Sequence, residues 1–318
     1  MTDVLGRSGL AVSPVGLGLA SVGRPGYLNL GHGDDLAGST SVGAMERNAH
    51  AVLDAAYAAG VRYFDAARSY GRAEAFLGSW LRDRGLAADP VTVGSKWGYT
   101  YTAGWRADAE VHETKDLSVA TLRRQLPESL ALLGPHLRLY QIHSATVSSG
   151  VLDDPDVLEE LRRVRDRGIA IGLTVTGPGQ ASTIERALSL DCFDVVQATW
   201  NLLERSAESA LAAAHRAGLG VVVKEAVANG RLTERGGIPG VIDTASRLGT
   251  TPDAVALAAA LAQPWADVVL SGATTPAMLA SNLAACSLPT DELRLDALGG
   301  LREDPAAYWE TRASLAWT

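Results

Sequence analysis

The chain alternates eight short apolar runs with eight longer amphipathic ones, and that alternation leaves few folds open. The short runs occupy residues 14–19, 61–65, 91–96, 137–143, 169–175, 195–198, 220–225 and 268–271. Each is rich in Val, Ile, Leu or aromatics and lacks the in–out alternation of a half-exposed strand, so each reads as a strand buried on both faces. Helical patterning fills 44–59, 73–84, 119–133, 156–167, 181–190, 207–217, 241–248 and 276–285, with extra helices expected over 253–261 and 291–302. Pro127 is expected to kink or interrupt the third of these. Gly60, Gly85, Gly168 and Gly218 stand where a helix runs into the next strand, places that favour a left-handed residue. Eight β–α units without a linker or composition break predict one α/β domain over 1–318, a (β/α)8 TIM barrel. A doubly wound sheet in two domains is the structural alternative.

Charge and cysteine usage narrow the function. Asp and Glu outnumber Lys and Arg by 36 to 28, a net charge of −8 that argues against nucleic acid or an anionic membrane surface as partner. Cys192 and Cys286 lie far apart with no zinc-ligand spacing and read as reduced, buried thiols. The N-terminus shows no basic region followed by an apolar run, and no apolar stretch is long enough to span a bilayer. A soluble, cytoplasmic protein is expected.

Two connections exceed the usual few residues, 20–43 and 97–117. Both follow strands and so belong on the C-terminal face of a barrel, where this fold carries its chemistry. The first contains Gly23, Gly26, Gly31, Gly33, Gly38 and Gly43; the second carries Trp97, Tyr99, Tyr101 and Trp105. The aromatic loop reads either as a lid that packs on itself or as a wall of the substrate pocket.

Four polar residues stand at or just beyond consecutive strand ends: Asp65, Tyr70, Lys96 and His143. Singly, each has an ordinary explanation as a helix cap, a packed ring, a snorkelling cation or a core imidazole. Together, on one face, their chemistry interlocks. A phenol titrates near ~10, too high to exchange protons readily at neutral pH, and an adjacent ammonium lowers that value. A buried ammonium in turn needs a carboxylate beside it. Tyr70, Lys96 and Asp65 fill those roles, and His143 can donate to a substrate oxygen as negative charge develops there. This is a metal-free carbonyl-reduction site.

At these residues the sequence resembles the aldo-keto reductases. The resemblance is carried by Arg62-Tyr63-Phe64-Asp65-Ala66-Ala67-Arg68-Ser69-Tyr70-Gly71, then Glu74, Leu77-Gly78, Ser95-Lys96, Tyr140-Gln141-Ile142-His143, Ile171-Gly172, Val196-Gln197 and Asn201-Leu202-Leu203. Residues 5–13 resemble the β-hairpin that closes the barrel floor in that family. The likeness implies a catalytic tetrad of Asp65, Tyr70, Lys96 and His143, with hydride passing between a nicotinamide and a carbonyl carbon. It implies cofactor contacts from Gly18, Leu19, Ala20 and Asp65, and from Thr174 and Gln197 at the carboxamide. Trp200 would stack on the nicotinamide ring beside Asn201 and Leu202. Glu225 and Val227 would approach the pyrophosphate, and Gly272, Ala273, Thr274, Met278, Ser281 and Asn282 the adenosine. Tyr70, Trp97 and His143 would face the substrate.

The sequence departs from that pattern in two places. Thr174-Val175 stands where the family commonly has Ser-Asn, and Thr176 is a substitute donor. Gly272 and Met278 stand where cations often hold a 2′-phosphate, so either NADP(H) or NAD(H) is expected as cofactor. Other fingerprints fail: Gly16-Leu17-Gly18 is followed by Ser21 in place of a third glycine, and no P-loop or nucleophile elbow occurs. The six histidines form no i, i+4 pair for a metal. The sequence therefore predicts an NAD(P)(H)-dependent oxidoreductase acting on a small aldehyde, ketone or aldose, or the corresponding alcohol. A nucleotide-binding, redox-sensing regulatory subunit is the alternative, and a metal-dependent sugar isomerase is disfavoured because no carboxylate-rich metal sites can be assembled.

Overall fold

The computed structural model describes residues 3–318. It begins with an antiparallel hairpin of β1 (Asp3–Val4) and β2 (Ala11–Val12), joined through a tight turn at Gly6–Ser8. Then come β3 (Val15–Gly18), a single helical turn α1 (His32–Asp35), α2 (Val42–Ala58), β4 (Tyr63–Asp65), α3 (Ala73–Asp83) and β5 (Thr92–Trp97). The aromatic loop contains its own hairpin, β6 (Tyr99–Tyr101) paired with β7 (Glu113–Lys115). The chain continues through α4 (Val119–Leu133), β8 (Leu137–Ala145), α5 (Pro155–Asp166), β9 (Ala170–Val175), α6 (Gln180–Leu190), β10 (Val195–Thr199) and α7 (Glu208–Arg216). It ends with β11 (Gly220–Lys224), α8 (Pro239–Leu248), α9 (Pro252–Leu261), β12 (Val268–Ser271), α10 (Pro276–Leu283) and α11 (Pro305–Ser314).

Strands β3, β4, β5, β8, β9, β10, β11 and β12 close in chain order into an eight-stranded parallel barrel, β12 pairing back to β3. Every strand and eight-unit helix expected from the periodicity is present, within a few residues at each end. The expected helix over 291–302 is not. That stretch is a series of i→i−3 turns (Ala297 N to Arg294 O, Leu298 N to Leu295 O), with Arg294 left-handed and Gly299-Gly300 weakening any helix. The extra helix lies later, at α11, where Asp304 caps the Ala307 amide and Pro305 opens the first turn. Pro127 sits inside an uninterrupted α4. Cys192 is buried as expected, but Cys286 is exposed.

The floor of the barrel is apolar. Leu5, Leu10 and Val12 of the hairpin pack against Tyr63, Leu139, Val195, Val222 and Val268, all fully or nearly fully buried. Gly6 is left-handed and so close to the β11 entrance that a Cβ there would lie 2.1 Å from Gly220 N. Among the described residues no helix is long and apolar enough to cross a membrane.

Candidate active site

The polar side chains gather at the opposite, C-terminal end. Parallel pairing puts Asp65 of β4 beside Gly94 of β5, and Lys96 of β5 beside Gln141 of β8, so three consecutive strand ends share one mouth. Tyr70 reaches the same point from the turn after β4. That turn is fixed by hydrogen bonds from Tyr70 N to Ala67 O (3.1 Å) and Ala73 N to Tyr70 O (3.0 Å). The glycine-rich loop packs directly on it: a Cβ on Gly23 would lie 2.4 Å from Tyr70 O, and one on Gly71 2.5 Å from Gly23 O. Behind the turn, buried Glu74 accepts from Arg68, Ser95 Oγ (2.6 Å) and Ser129 Oγ (2.6 Å), tying α3, β5 and α4 together.

Lys96 is ion-paired to Asp65 and donates to Ala66 O at 3.0 Å and Tyr70 Oη at 3.3 Å. Asp65 and Lys96 are 2% and 1% exposed, so neither charge is screened by water. The second oxygen of Asp65 accepts from Tyr63 Oη (3.2 Å) and Gln197 Nε2 (3.1 Å). His143 Nε2 lies 3.5 Å from Tyr70 Oη, and Tyr99 meets the imidazole edge-on at 4.9 Å between ring centres.

Burial, with the Asp65 carboxylate adding to it, holds the Tyr70 hydroxyl well above the usual phenol range. The Lys96 ammonium beside this hydroxyl is itself ion-paired to Asp65, and the net shift of the hydroxyl is upward. Burial and then the Lys96 charge push His143 well below the usual imidazole range. The site therefore presents a protonated phenol and a neutral imidazole side by side at neutral pH. Neither His143 Nδ1 nor Gln141 Oε1 has a protein partner.

From this cluster a cavity of about 480 Å³ extends across the mouth towards α9 and α10. Of the residues singled out from sequence, Gly18, Ala20, Asp65, Tyr70, His143, Thr174, Gln197, Glu225 and Val227 line it, as do Gly272, Ala273, Met278, Ser281 and Asn282. Thr176 lines it too, whereas Thr174 Oγ1 is taken by the Ser144 amide at 2.7 Å.

Other expected contacts fall elsewhere. Lys96 lies under Asp65, buried behind the cavity wall. Trp97 is 0% exposed in the core and Leu19, Leu202 and Thr274 are likewise at 0%, so none of them presents a side chain to the cavity. Trp200 packs edge-on against Trp265 at 5.7 Å and donates to Glu208, so its ring is not available to stack on a ligand. Asn201 spends its amide on Glu225 O and Tyr308 Oη (3.0 Å each) and its oxygen on the Leu203 and Glu204 amides. It holds the following loop, where Glu225, Ala228 and Asn229 all have positive φ.

Several lining residues escaped the sequence reading. Arg24, buried, donates to Ser69 O (3.1 Å) and Glu113 (2.9 Å) and lies over the rings of Tyr70 (5.5 Å) and Trp317 (4.7 Å). A lone arginine among loop glycines on the barrel's active face was a legible signal. Trp317 stacks flat on His112 at 4.1 Å, while Thr318 and Tyr27 exchange backbone hydrogen bonds (3.0 and 3.2 Å), drawing the end of the chain across the mouth. Nothing local in the sequence announces that. Lys224 donates to Thr199 Oγ1 (2.8 Å), and burial lowers its pKa to about 8 despite Glu225 nearby. Glu225 is held at about 2: burial pushes it up, but Arg312 and Lys224 outweigh that. Among the described residues no three His, Cys, Asp or Glu side chains gather around a common metal position.

Comparison with known proteins shows the family and the fold. Residues 29–302 match the model of the aldo/keto reductase family. The chain is 25% identical to aldo-keto reductase ausK of Aspergillus calidoustus over 72% of its own length, and spans only 56% of that protein. It is 25% identical to the Bacillus subtilis protein named uncharacterized oxidoreductase YrpG over 98% of both chains. The holo form of aldo-keto reductase AKR11C1 from Bacillus halodurans shares the fold, with a TM-score of 0.72 over 95% of this chain and 96% of that one at 22% identity.

Proposed function

Since this chain belongs to the aldo/keto reductase family, we propose that it interconverts a carbonyl and an alcohol with NAD(P)(H), using Tyr70 as proton donor and acceptor. One observation carries this: Tyr70 Oη stands between Lys96 Nζ at 3.3 Å and His143 Nε2 at 3.5 Å, with Asp65 beneath the lysine. A protonated phenol and a neutral imidazole aimed at one point can both donate to a carbonyl oxygen as it gains charge.

The cavity suits a nicotinamide nucleotide. Gly18, Ala20, Gly272 and Ala273 leave one wall almost bare, and a Cβ on Gly272 would meet nothing within 4 Å. Gln197, which touches Asp65 at 3.1 Å, and Thr176 are polar side chains of the wall that can serve the carboxamide, and the 225–230 loop and Ser281–Asn282 continue the wall. When bound, the nucleotide supplies or takes the hydride. Tyr70 then passes its proton to the substrate oxygen, His143 fixes that oxygen, and Lys96 stabilises the phenolate left behind. Asp65 pairs with Lys96. With Thr174-Val175 in place of Ser-Asn, the carboxamide contact is left to Gln197, Thr176 and the Thr174 hydroxyl, whose oxygen accepts from the Ser144 amide while its proton can still be donated. A cytoplasmic location belongs to the same reading.

Steady-state turnover over a panel of aldehydes, ketones and aldoses, with NADH and NADPH in turn, tests it. Nucleotide-dependent reduction that disappears in Tyr70→Phe is the expected result. Absence of turnover with every pair would overturn the reading.

A further inference from the structure

Where the cavity runs along α9 and α10, these helices bring one acidic side chain to the wall. Thr251 caps α9, Pro252 opens it and Asp253 occupies the next position. Asp253 Oδ2 accepts from Ser281 Oγ at 2.7 Å and from Asn282 Nδ2 at 2.6 Å. Ser281 is steadied by Thr251 Oγ1 (2.8 Å), and Asn282 Oδ1 accepts from Ser271 Oγ (2.7 Å). The carboxylate is therefore locked in orientation. Its other oxygen, Oδ1, has no donor among the described residues, and the side chain lines the cavity.

The cations around the cavity do not offset that charge. Arg24 is paired with Glu113, Arg235 with Asp35 and Arg312 with Glu225, while Lys224 is bound to Thr199 beside Glu225. Gly272 and Met278, neighbours of Ser281 and Asn282 along the same wall, carry no charge. Arg47 of α2 is exposed and lines an adjoining hollow with Asp35, Ser39 and Asn48, and it does not line the cavity wall that carries Asp253.

We propose that Asp253 is the residue that sets nucleotide choice, selecting NADH over NADPH by accepting a hydrogen bond from the adenosine ribose and excluding a 2′-phosphate. This rests on the nucleotide reading above, which lays the adenosine along Gly272–Asn282. A rigid carboxylate with a free oxygen matches a ribose hydroxyl, which donates. A 2′-phosphate brings up to two negative charges and only acceptors, and would face an unneutralised anion at short range. Holding Asp253 through Ser281 and Asn282 denies it the freedom to swing aside.

Titration of the full-length protein by fluorescence quenching, with NADH and NADPH at matched ionic strength, decides the matter. Wild type is expected to bind NADH about tenfold or more tighter, and 5′-AMP to displace it better than 2′,5′-ADP. Asp253→Asn, which keeps the shape and removes the charge, should bring the two nucleotides to within about threefold, by gain of NADPH affinity. Equal or tighter NADPH binding by wild type would overturn the proposal while leaving the oxidoreductase reading intact. So would an unchanged ratio in both Asp253→Asn and Asp253→Ser. Binding of neither nucleotide would remove both.

Discussion

Tyr70 is the residue on which the proposed chemistry turns, and its hydroxyl touches only Lys96 and His143 of the same cluster. Tyr70→Phe should therefore leave nucleotide affinity and thermal stability nearly unchanged while lowering kcat and kcat/KM together, by about 10²–10⁴-fold. A variant keeping a third of wild-type activity would exclude Tyr70 as the proton donor. Lys96 acts on two properties at once. Removing its charge in Lys96→Met leaves Asp65 buried and unpaired at 2% exposure, which should cost about 3–5 kcal/mol in urea unfolding. Adding Asp65→Asn should recover much of that loss. The same Lys96→Met change takes a cation from beside a phenol already held high by burial and Asp65. Alcohol oxidation, which needs the phenolate, should then shift to more alkaline pH, read as the apparent pKa of kcat/KM with chemistry rate-limiting. Three residues of this cluster were legible as polar side chains at the end of an apolar run, and Tyr70 as a ring in the turn just beyond one. Asp253 was not legible, since in sequence it is only an acid in the first turn of a helix. Trp200 misled in the opposite sense: an aromatic after a strand can face the mouth or the helix layer, and its Glu208 and Trp265 neighbours turn it to the latter.

Among the elements, those that carry their own period were readable and those that depend on tertiary contacts were not. The barrel strands announce themselves because both faces are buried, and Gly60, Gly85, Gly168 and Gly218 all take the positive φ expected of them. Helix α11 carried a start signal, Asp304-Pro305, that outranks the weak apolar spacing of 291–302. The pairing of β6 with β7 spans eleven intervening residues, a separation at which turn chemistry gives no register. The floor hairpin shows how sharply one element can be specified. Gly6→Ala would place a Cβ at 2.1 Å from Gly220 N in a left-handed residue, with no flexible side chain to yield. Strain and overpacking together should cost roughly 2–5 kcal/mol of stability. Because the floor lies at the other end of the barrel, KM for the folded fraction should stay at the wild-type value; a changed KM would mean that floor and mouth are coupled.

Over the whole molecule, Glu225 links the site to acid stability. Its pKa falls from 4.5 to about 2, so it binds its proton more readily unfolded than folded. Its contribution is complete above about pH 4.5 and is lost as pH falls towards about 2, amounting to about 3 kcal/mol. Urea unfolding across that window should show a steeper loss in wild type than in Glu225→Gln; parallel slopes would remove Glu225 from the acid transition. The pairing of Arg312 with Glu225, of Arg235 with Asp35 and of Arg24 with Glu113 has a kinetic consequence as well. Three guanidiniums at the mouth are each cancelled by a partner on the protein itself, within a molecule whose net charge is −8. These pairings weaken any positive field that would draw an anion in from solution. Stopped-flow association of a dinucleotide should consequently be insensitive to added salt, or quicken as salt screens the overall repulsion, in contrast to the steep slowing of an electrostatically steered encounter.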